Sequence, residues 1–196
     1  MQDMINFEHY MHDLYLQFCE HDATHSDRLK RYRNIEPESA QFLSILVKAQ
    51  QSKQLLEIGT STGYSTLWLA EALLKTQGKM ITLEIDATRS EQAQRYAKDL
   101  KLDGIVDYRV TDAFDFLQQN QEVFDFILLD AERDAYVDYW QHLARLINPK
   151  GGLLVVDNVL SHAEQVQDFL NLVNRDGRFV SSTISVGAGL CLIGYR

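Results

Sequence analysis

From residue 54 onward, short apolar runs alternate with longer segments in which apolar residues recur every three or four positions. The short runs indicate buried strands, and the longer period indicates helices that pack on a sheet. We predict strands over residues 54–58, 80–84, 105–110, 124–129 and 152–156. The periodic segments between them predict helices over residues 64–75, 88–100, 113–119 and 135–147. This alternation is typical of a parallel sheet built from βαβ units.

The end of the chain departs from that alternation. After a helix near 163–174, the segments 179–186 and 189–195 predict an antiparallel pair of strands around Gly187. The strands at 126–129 and 153–156 are apolar without interruption, so they require helices on both faces of the sheet.

The first fifty residues are helical in pattern and rich in polar residues. A loop is expected over 21–27, and a helix begins near 35–38. The chain contains no internal repeat and no flexible linker between parts. We therefore predict one α/β domain, 1–196, in which residues 1–50 form a helical cap on a core at 51–196.

Composition and charge restrict the function. With 196 residues and 45% apolar composition the chain can bury one good core. A net charge of −9 opposes binding to nucleic acid. No stretch approaches the ~18 to 20 apolar residues of a membrane span, and the start lacks signal-peptide features. Cys19 and Cys191 form no C-x-x-C pair, which suits a reducing compartment. We expect a cytoplasmic protein that contacts neither nucleic acid nor membranes.

The most informative segment lies between the first predicted strand and the first helix of the core. Residues 55–65 read LLEIGTSTGYS, with Glu57 near the strand end and Gly59 and Gly63 in the turn. Glycines let the backbone approach a ligand closely, and the N–H groups of a new helix point at whatever binds there. The second strand ends in Glu84, where such folds place a carboxylate for the two ribose hydroxyls. Turn and acid together indicate a ligand that contains a nucleoside.

The spacing of the glycines separates two kinds of ligand. Dinucleotide sites usually read G-x-G-x-x-G, because the middle glycine lets the backbone close on a pyrophosphate. Here that position is Ser61. The pattern fits a ligand without pyrophosphate and is that of S-adenosylmethionine-dependent methyltransferases. A turn that binds nothing is the alternative on these residues alone.

Acids stand at the end of every predicted parallel strand. In order they are Glu57, Glu84, Asp112, Asp130 and Asp157, the last followed by Asn158. Because parallel strands present their carboxyl ends at one edge of the sheet, these residues sample the ligand site. Asp130, Asp157 and Asn158 offer hard oxygen ligands for a divalent metal such as Mg²⁺ or Ca²⁺. Two separate helix caps are the alternative.

Four segments resemble the metal-dependent O-methyltransferases of the catechol and caffeoyl-CoA type. They read IEPES at 35–39, LEIGTSTGYS at 56–65, LDAERDAY at 129–136 and VDNVL at 156–160. The resemblance implies a Rossmann-like class I methyltransferase fold with a seven-stranded, mostly parallel sheet. It also implies S-adenosylmethionine as methyl donor and a metal held by Asp130, Asp157 and Asn158.

The same resemblance implies roles for individual residues around the cofactor. Glu84 would bind the ribose, Gly59 and Ser65 the methionine end, and Asp112 with Ala113 the adenine edge. Glu57, Gly63, Tyr64 and Asp130 complete the predicted cofactor-binding set.

Two positions differ from the family pattern. The family commonly carries a lysine three residues after its first metal aspartate, proposed to take the acceptor proton. This chain has Arg133, whose pKa is too high for a base near neutral pH. Ser161 stands where the family often has an aromatic residue beside the acceptor, and it is followed by His162, which can act as a base near pH 7. Arg133 and His162 are therefore the candidate catalytic residues.

We predict an O-methyltransferase whose partner is a small acceptor with two neighbouring oxygens. The sequence does not identify that acceptor. Two rival interpretations remain, namely a nucleotide-dependent oxidoreductase and a non-catalytic S-adenosylmethionine-binding module. A homodimer is also considered, because Tyr136, Tyr139 and Trp140 suit either the core or a dimer contact.

Overall fold

The computed structural model describes residues 6–196. Residues 1–5 of the predicted cap lie outside the described part. Seven helices and seven strands follow in chain order: α1 (Phe7–Thr24), α2 (Pro37–Gln50), β1 (Gln54–Ile58), α3 (Tyr64–Thr76), β2 (Lys79–Glu84), α4 (Ala87–Asp99), β3 (Val106–Val110), α5 (Ala113–Gln119), β4 (Phe126–Leu129), α6 (Tyr136–Leu146), β5 (Leu153–Val156), α7 (Ala163–Arg175), β6 (Phe179–Ile184) and β7 (Leu190–Tyr195). Short 3₁₀ turns occupy Arg28–Lys30 and Arg133–Ala135.

The strands form one sheet in the order β3-β2-β1-β4-β5-β7-β6. Strands β1 to β5 pair in parallel, and β7 is antiparallel to both of its neighbours. The predicted seven-stranded, mostly parallel sheet is therefore confirmed. No helix in residues 6–196 is long and apolar enough to cross a membrane.

The core lies on both faces of the sheet because successive strand residues point to opposite sides. Leu55 and Leu128 pack with α1, α2 and α3 on one face. Leu56 and Leu129 pack with α6 and α7 on the other. Burial on both faces explains why β4 and β5 are apolar throughout. The proposed boundary between cap and core stays a prediction.

The predicted loop over 21–27 is wrong in its first half, because α1 continues to Thr24. The end of the helix is held by later residues. The carboxylate of Asp22 accepts hydrogen bonds from the backbone N–H groups of Tyr32 and Arg33 at 2.7 and 2.9 Å. The ring of His21 also stacks on that of Tyr32, with centroids 3.7 Å apart. These contacts are distant in sequence, so local composition did not reveal them.

Strand order reverses between β1 and β4, and this reversal positions the site. From β1 the chain adds β2 and β3 on one side, then returns to place β4 and β5 on the other. Ligands of open α/β sheets bind outside the carboxyl ends of the strands at such a reversal.

Candidate active site

A cavity of about 700 Å³ opens at the carboxyl ends of the strands. This volume is typical of a small-molecule or cofactor site. Its wall comes from the turn after β1, the ends of β2 to β5, and residues 28–36 before α2, which we call the roof segment.

The turn after β1 approaches β4 through its backbone. Gly59 has a φ of +103°, and a Cβ atom there would overlap the carbonyl oxygen of Asp130. The backbone N–H of Asp130 in turn donates to the carbonyl of Ile58 at 3.0 Å. Only glycine fits this contact, which joins the predicted cofactor turn directly to a predicted metal ligand.

Glu84 lies in the cavity wall at the end of β2. Its Oε2 accepts the N–H of Ser61 at 2.7 Å, and its Oε1 accepts those of Ile85 and Asp86 at 3.0 and 3.1 Å. An ionised carboxylate can accept about four hydrogen bonds. Three hydrogen bonds orient the carboxylate of Glu84, so it can accept about one more from a ligand.

Glu57 is fully buried and lies behind the cavity wall. Its carboxylate accepts hydrogen bonds from the hydroxyls of Ser65, Thr66 and Thr82 at 2.5 to 2.6 Å. Burial raises its pKa to about 7, although the three hydroxyl donors oppose that shift. Ser65 does line the cavity. Glu57 thus fixes the side chain of Ser65 and does not itself face the cavity.

Gly63 and Tyr64 are not in the cavity wall. Gly63, at a φ of +92°, would place a Cβ atom 2.7 Å from that of Ala93 on α4, so its small size serves helix packing. The ring of Tyr64 is 1% exposed and packs against Tyr15, with centroids 5.2 Å apart. Their predicted contact with the cofactor stays a prediction.

Asp112 and Ala113 lie in the cavity wall after β3, beyond Glu84. Oδ1 of Asp112 accepts the N–H groups of Phe114 and Asp115 at 2.7 and 3.3 Å and so caps α5. Asp112 therefore serves as a helix cap, and its position also suits recognition of a ligand edge.

The structure brings the three predicted metal ligands together. The amide nitrogen of Asn158 donates to Oδ1 of Asp130 at 3.2 Å and to Oδ2 of Asp157 at 2.8 Å. Oδ1 of Asp157 is buried and has no hydrogen-bond partner among residues 6–196. An unpartnered buried carboxylate oxygen is costly, so its position suits contact with a cation.

Burial and mutual repulsion act on both carboxyl groups. The pKa of Asp157 is raised to about 8, by burial first and then by Asp130. The pKa of Asp130 is raised to about 6 by burial, although Arg133 and Arg33 oppose the shift. The possible donor set consists of two carboxylates and one amide. No cluster of three His, Cys, Asp or Glu residues suited to a metal occurs within residues 6–196. These oxygens fit a hard divalent cation.

Both candidate catalytic residues lie in the cavity wall. The side chain of Arg133 is 8% exposed, and its Nε donates to the amide oxygen of Gln165 at 2.8 Å. Nδ1 of His162 lies 2.9 Å from the hydroxyl of Ser161, which contacts Oδ1 of Asn158 at 3.3 Å. Partial burial, together with Arg133, Arg28 and Arg33, holds the pKa of His162 below its ordinary value.

Sequence reasoning named no individual arginine of the roof segment. Arg28 and Arg33 both form ion pairs with Glu132, at 3.3 and 2.8 Å. On the other side of the cavity, Arg89 donates to the carbonyls of Leu29 and Arg31 at 2.8 and 3.1 Å. The run RLKRYR at 28–33 was the available signal, because it is a dense basic stretch in an acidic chain.

The roof segment is also bonded to the turn after β1. The hydroxyl of Ser61 donates to the carbonyl of Tyr32 at 2.7 Å, and the amide of Asn34 donates to the hydroxyl of Thr62 at 2.8 Å. Ser61, which distinguished this turn from a dinucleotide site, therefore attaches the roof to the core.

Comparison with known proteins decides the family. The model of the family described as O-methyltransferase matches residues 8–195. The chain belongs to that family. It is 40% identical over 131 residues to the catechol O-methyltransferase of Niastella koreensis, covering 65% of this chain and 58% of that relative. It is 34% identical over 129 residues to a caffeoyl-CoA O-methyltransferase of Medicago sativa, covering 63% of this chain and 51% of that relative.

These matches span less than two thirds of either relative's length. A solved structure extends the similarity across almost the whole chain. The O-methyltransferase from Bacillus cereus in complex with SAH has a TM-score of 0.81 and is 25% identical. That alignment covers 99% of this chain and 94% of the other. The resemblance drawn from the four sequence segments is confirmed, and so is the Rossmann-like methyltransferase fold.

Proposed function

We propose that the protein transfers a methyl group from S-adenosylmethionine to a hydroxyl of a small acceptor with two neighbouring oxygens, such as a catechol. The observation that carries this proposal is the backbone contact between Gly59 and Asp130. Because of it, the nucleoside-type turn and the pair Asp130 and Asn158 form adjacent walls of one cavity, with Asp157 buried beside them. A methyl donor and an acceptor could therefore meet there.

The half of the cavity beside β2 and β3 would bind the donor. Glu84 has the remaining acceptor capacity for a ribose hydroxyl, and Asp112 with Ala113 would flank the base. Ser65, whose hydroxyl is fixed by Glu57, would face the methionine end. S-adenosylmethionine supplies an electrophilic methyl group when bound. The protein contributes its orientation, which can lower the barrier substantially without new chemistry.

The half beside β4 and β5 would bind the acceptor, with a divalent metal at Asp130, Asp157 and Asn158. Such a cation supplies Lewis acidity that lowers the pKa of an acceptor hydroxyl. The unpartnered Oδ1 of Asp157 supports this assignment. Arg133 would stabilise negative charge on the acceptor oxygen, since it is a permanent cation held by Gln165. His162 stays a candidate acceptor of the proton.

The test is an assay of methyl transfer from labelled S-adenosylmethionine to catechol, with and without Mg²⁺. Product formation that depends on Mg²⁺ and is abolished by Asp157→Asn is expected. Asp138→Asn serves as the matched control, because it removes the same charge from an exposed position on α6.

Other outcomes discriminate the rival interpretations. Binding of S-adenosylmethionine without turnover on a panel of catechols and vicinal diols would indicate a non-catalytic module. Binding of NADH in its place would indicate an oxidoreductase. Activity that survives exhaustive chelation would contradict the metal role while leaving the methyl transfer itself intact.

A further inference from the structure

Charged side chains are distributed unequally between the two halves of the cavity wall. Beyond β2 and β3, the wall carries three acids, Glu84, Asp86 and Asp112, and one arginine, Arg89. Beyond β4 and β5, it carries Arg133 and His162, and the ion pairs with Glu132 bring Arg28 and Arg33 to the same half. The strand order thus separates an acidic donor half from an acceptor half that contains three arginines.

The arginines of the acceptor half exceed the carboxylates that pair with them. Glu132 is one carboxylate shared by two guanidinium groups, and each guanidinium has five N–H donors. Arg133 forms no ion pair within residues 6–196, and its bond to Gln165 is to a neutral amide. A divalent cation, as proposed above, would offset Asp130 and Asp157. Three guanidinium groups would then face two carboxylates, those of Glu132 and of Glu36, which also lines the cavity.

The arginines of the roof lie at the exposed side of the acceptor half. The side chains of Arg28 and Arg33 are 53% and 33% exposed, so they are at the mouth, whereas Arg133 is buried. The side chain of Glu132 between them is also 53% exposed. An oxyanion that entered there could join Glu132 between the guanidiniums or displace it. Arginine pairs of this kind suit carboxylate and phosphate groups.

We propose that the natural acceptor carries an anionic carboxylate or phosphate group in addition to its hydroxyl pair, and that Arg28 and Arg33 bind this group at the cavity mouth. The inference rests on the proposed function, because it concerns the acceptor of that reaction. It adds a requirement for negative charge that a neutral catechol does not meet.

The experiment compares 3,4-dihydroxybenzoate with 3,4-dihydroxybenzamide, which have the same ring and similar size but differ in charge. The preference is the ratio of their kcat/KM values. We expect the double variant Arg28→Gln with Arg33→Gln to lower this preference roughly three- to tenfold, chiefly through KM. Lys30→Gln is the control, since it removes a charge from the same basic run but lies outside the cavity wall.

A second variant separates charge recognition from damage to the roof. Glu132→Gln breaks the same ion pairs as the double arginine variant. A purely structural effect would therefore change the preference for the benzoate in the same direction in both variants. Recognition of an anion predicts opposite directions, because Glu132→Gln removes a competing carboxylate and raises the preference for the benzoate. A fall in both variants would overturn the inference.

Calorimetric binding of the two compounds, with S-adenosylhomocysteine and Mg²⁺ present, gives the same comparison without turnover. Absence of methyl transfer with a retained, arginine-dependent preference in binding would contradict the proposed function alone. Equal effects of the arginine variants on both compounds would overturn this inference alone. A parallel series with 3,4-dihydroxybenzyl phosphate distinguishes a carboxylate from a phosphate. Each anionic compound is compared with the benzamide. The compound whose advantage over the benzamide depends more strongly on Arg28 and Arg33 carries the group that the site matches.

Discussion

The backbone N–H of Ser61 donates to Oε2 of Glu84 at 2.7 Å, across the space between the glycine turn and the end of β2. Ser61 adopts a φ of +47°, in the left-handed region that side chains other than glycine seldom occupy. The bond orients the carboxylate before any ligand arrives, and the other carboxylate oxygen is held by two further N–H groups. Glu84 is therefore a preformed acceptor.

Replacement of this acceptor should weaken binding of the methyl donor. We expect Glu84→Ala to lose ~1.5 to 3 kcal/mol, or roughly ten- to a hundredfold in affinity for S-adenosylhomocysteine, because a charged hydrogen-bond acceptor is removed. Titration calorimetry measures the change. Glu91→Ala, at an exposed position on α4, controls for lost charge. An unaltered dissociation constant in a folded Glu84→Ala protein would exclude the assigned role.

We expect Asp157 to destabilise the metal-free protein and to be required for its stabilisation by Mg²⁺. Its buried, unpartnered oxygen and the adjacent Asp130 favour a neutral group when no cation is present. We expect Asp157→Asn to stabilise the protein in EDTA by ~1 kcal/mol, equivalent to a rise in Tm of about 2–4 °C. Wild type should gain stability on addition of Mg²⁺, since a ligand that binds only the folded state stabilises it. The variant should show no such gain. Equal Mg²⁺ responses in both proteins would contradict the site.

Arg133 should act as a fixed positive charge. On that basis Arg133→Lys keeps much of the rate of methyl transfer, whereas Arg133→Gln loses about ten- to a hundredfold through weaker stabilisation of the oxyanion. The measurement is kcat at saturating donor and acceptor. Arg109→Gln, an exposed position on β3, is the control. A large gain from Arg133→Lys would show instead that the reaction needs a base here. In that case the single variant His162→Gln should have a lower rate than wild type.

Glu57 should make the folded state less stable as pH rises. Its pKa is about 7 in the folded protein against an ordinary value of 4.5, so the unfolded chain releases this proton first. The folded state therefore binds more protons between these values, and the free energy of unfolding falls as pH increases across that window. Below pH 4.5 the full contribution is present, and above pH 7 no further loss occurs.

The comparison that isolates this group is chemical denaturation of wild type and Glu57→Gln at pH 5 and pH 7. Wild type should lose ~2 kcal/mol more than the variant between the two pH values. Asp130 and Asp157 are present in both proteins, and only the repulsion between Asp130 and Glu57 differs between them. Glu91→Gln, at an exposed position, should follow wild type. Curves for Glu57→Gln that run parallel to wild type would contradict the raised pKa.

The sheet and the site edge were predictable because their signals are local. The central parallel strands are largely apolar runs, and the acid at or after the end of each stands at the common edge whatever the strand order. Asp130, Asp157 and Asn158 could thus be grouped from sequence and are in hydrogen-bond contact in the structure.

Other features depend on contacts between distant segments. The ring of Tyr64 packs with that of Tyr15, a partner almost fifty residues earlier that the sequence of the turn does not indicate. The position of the roof depends on Glu132 and Arg89, which lie far along the chain from residues 28–33. No periodicity or motif encodes such pairings.

The contact between Gly59 and Asp130 differs in kind from the contacts that hold the roof. Under the proposed function, the turn that would face the donor and the residue that would face the acceptor are joined main chain to main chain, so their separation does not rest on side-chain contacts. In the roof, by contrast, each of these contacts on either side of the cavity includes at least one side chain. Exchange of a few residues in 28–33 would therefore retune which molecules are methylated while the distance over which the methyl group travels stays the same.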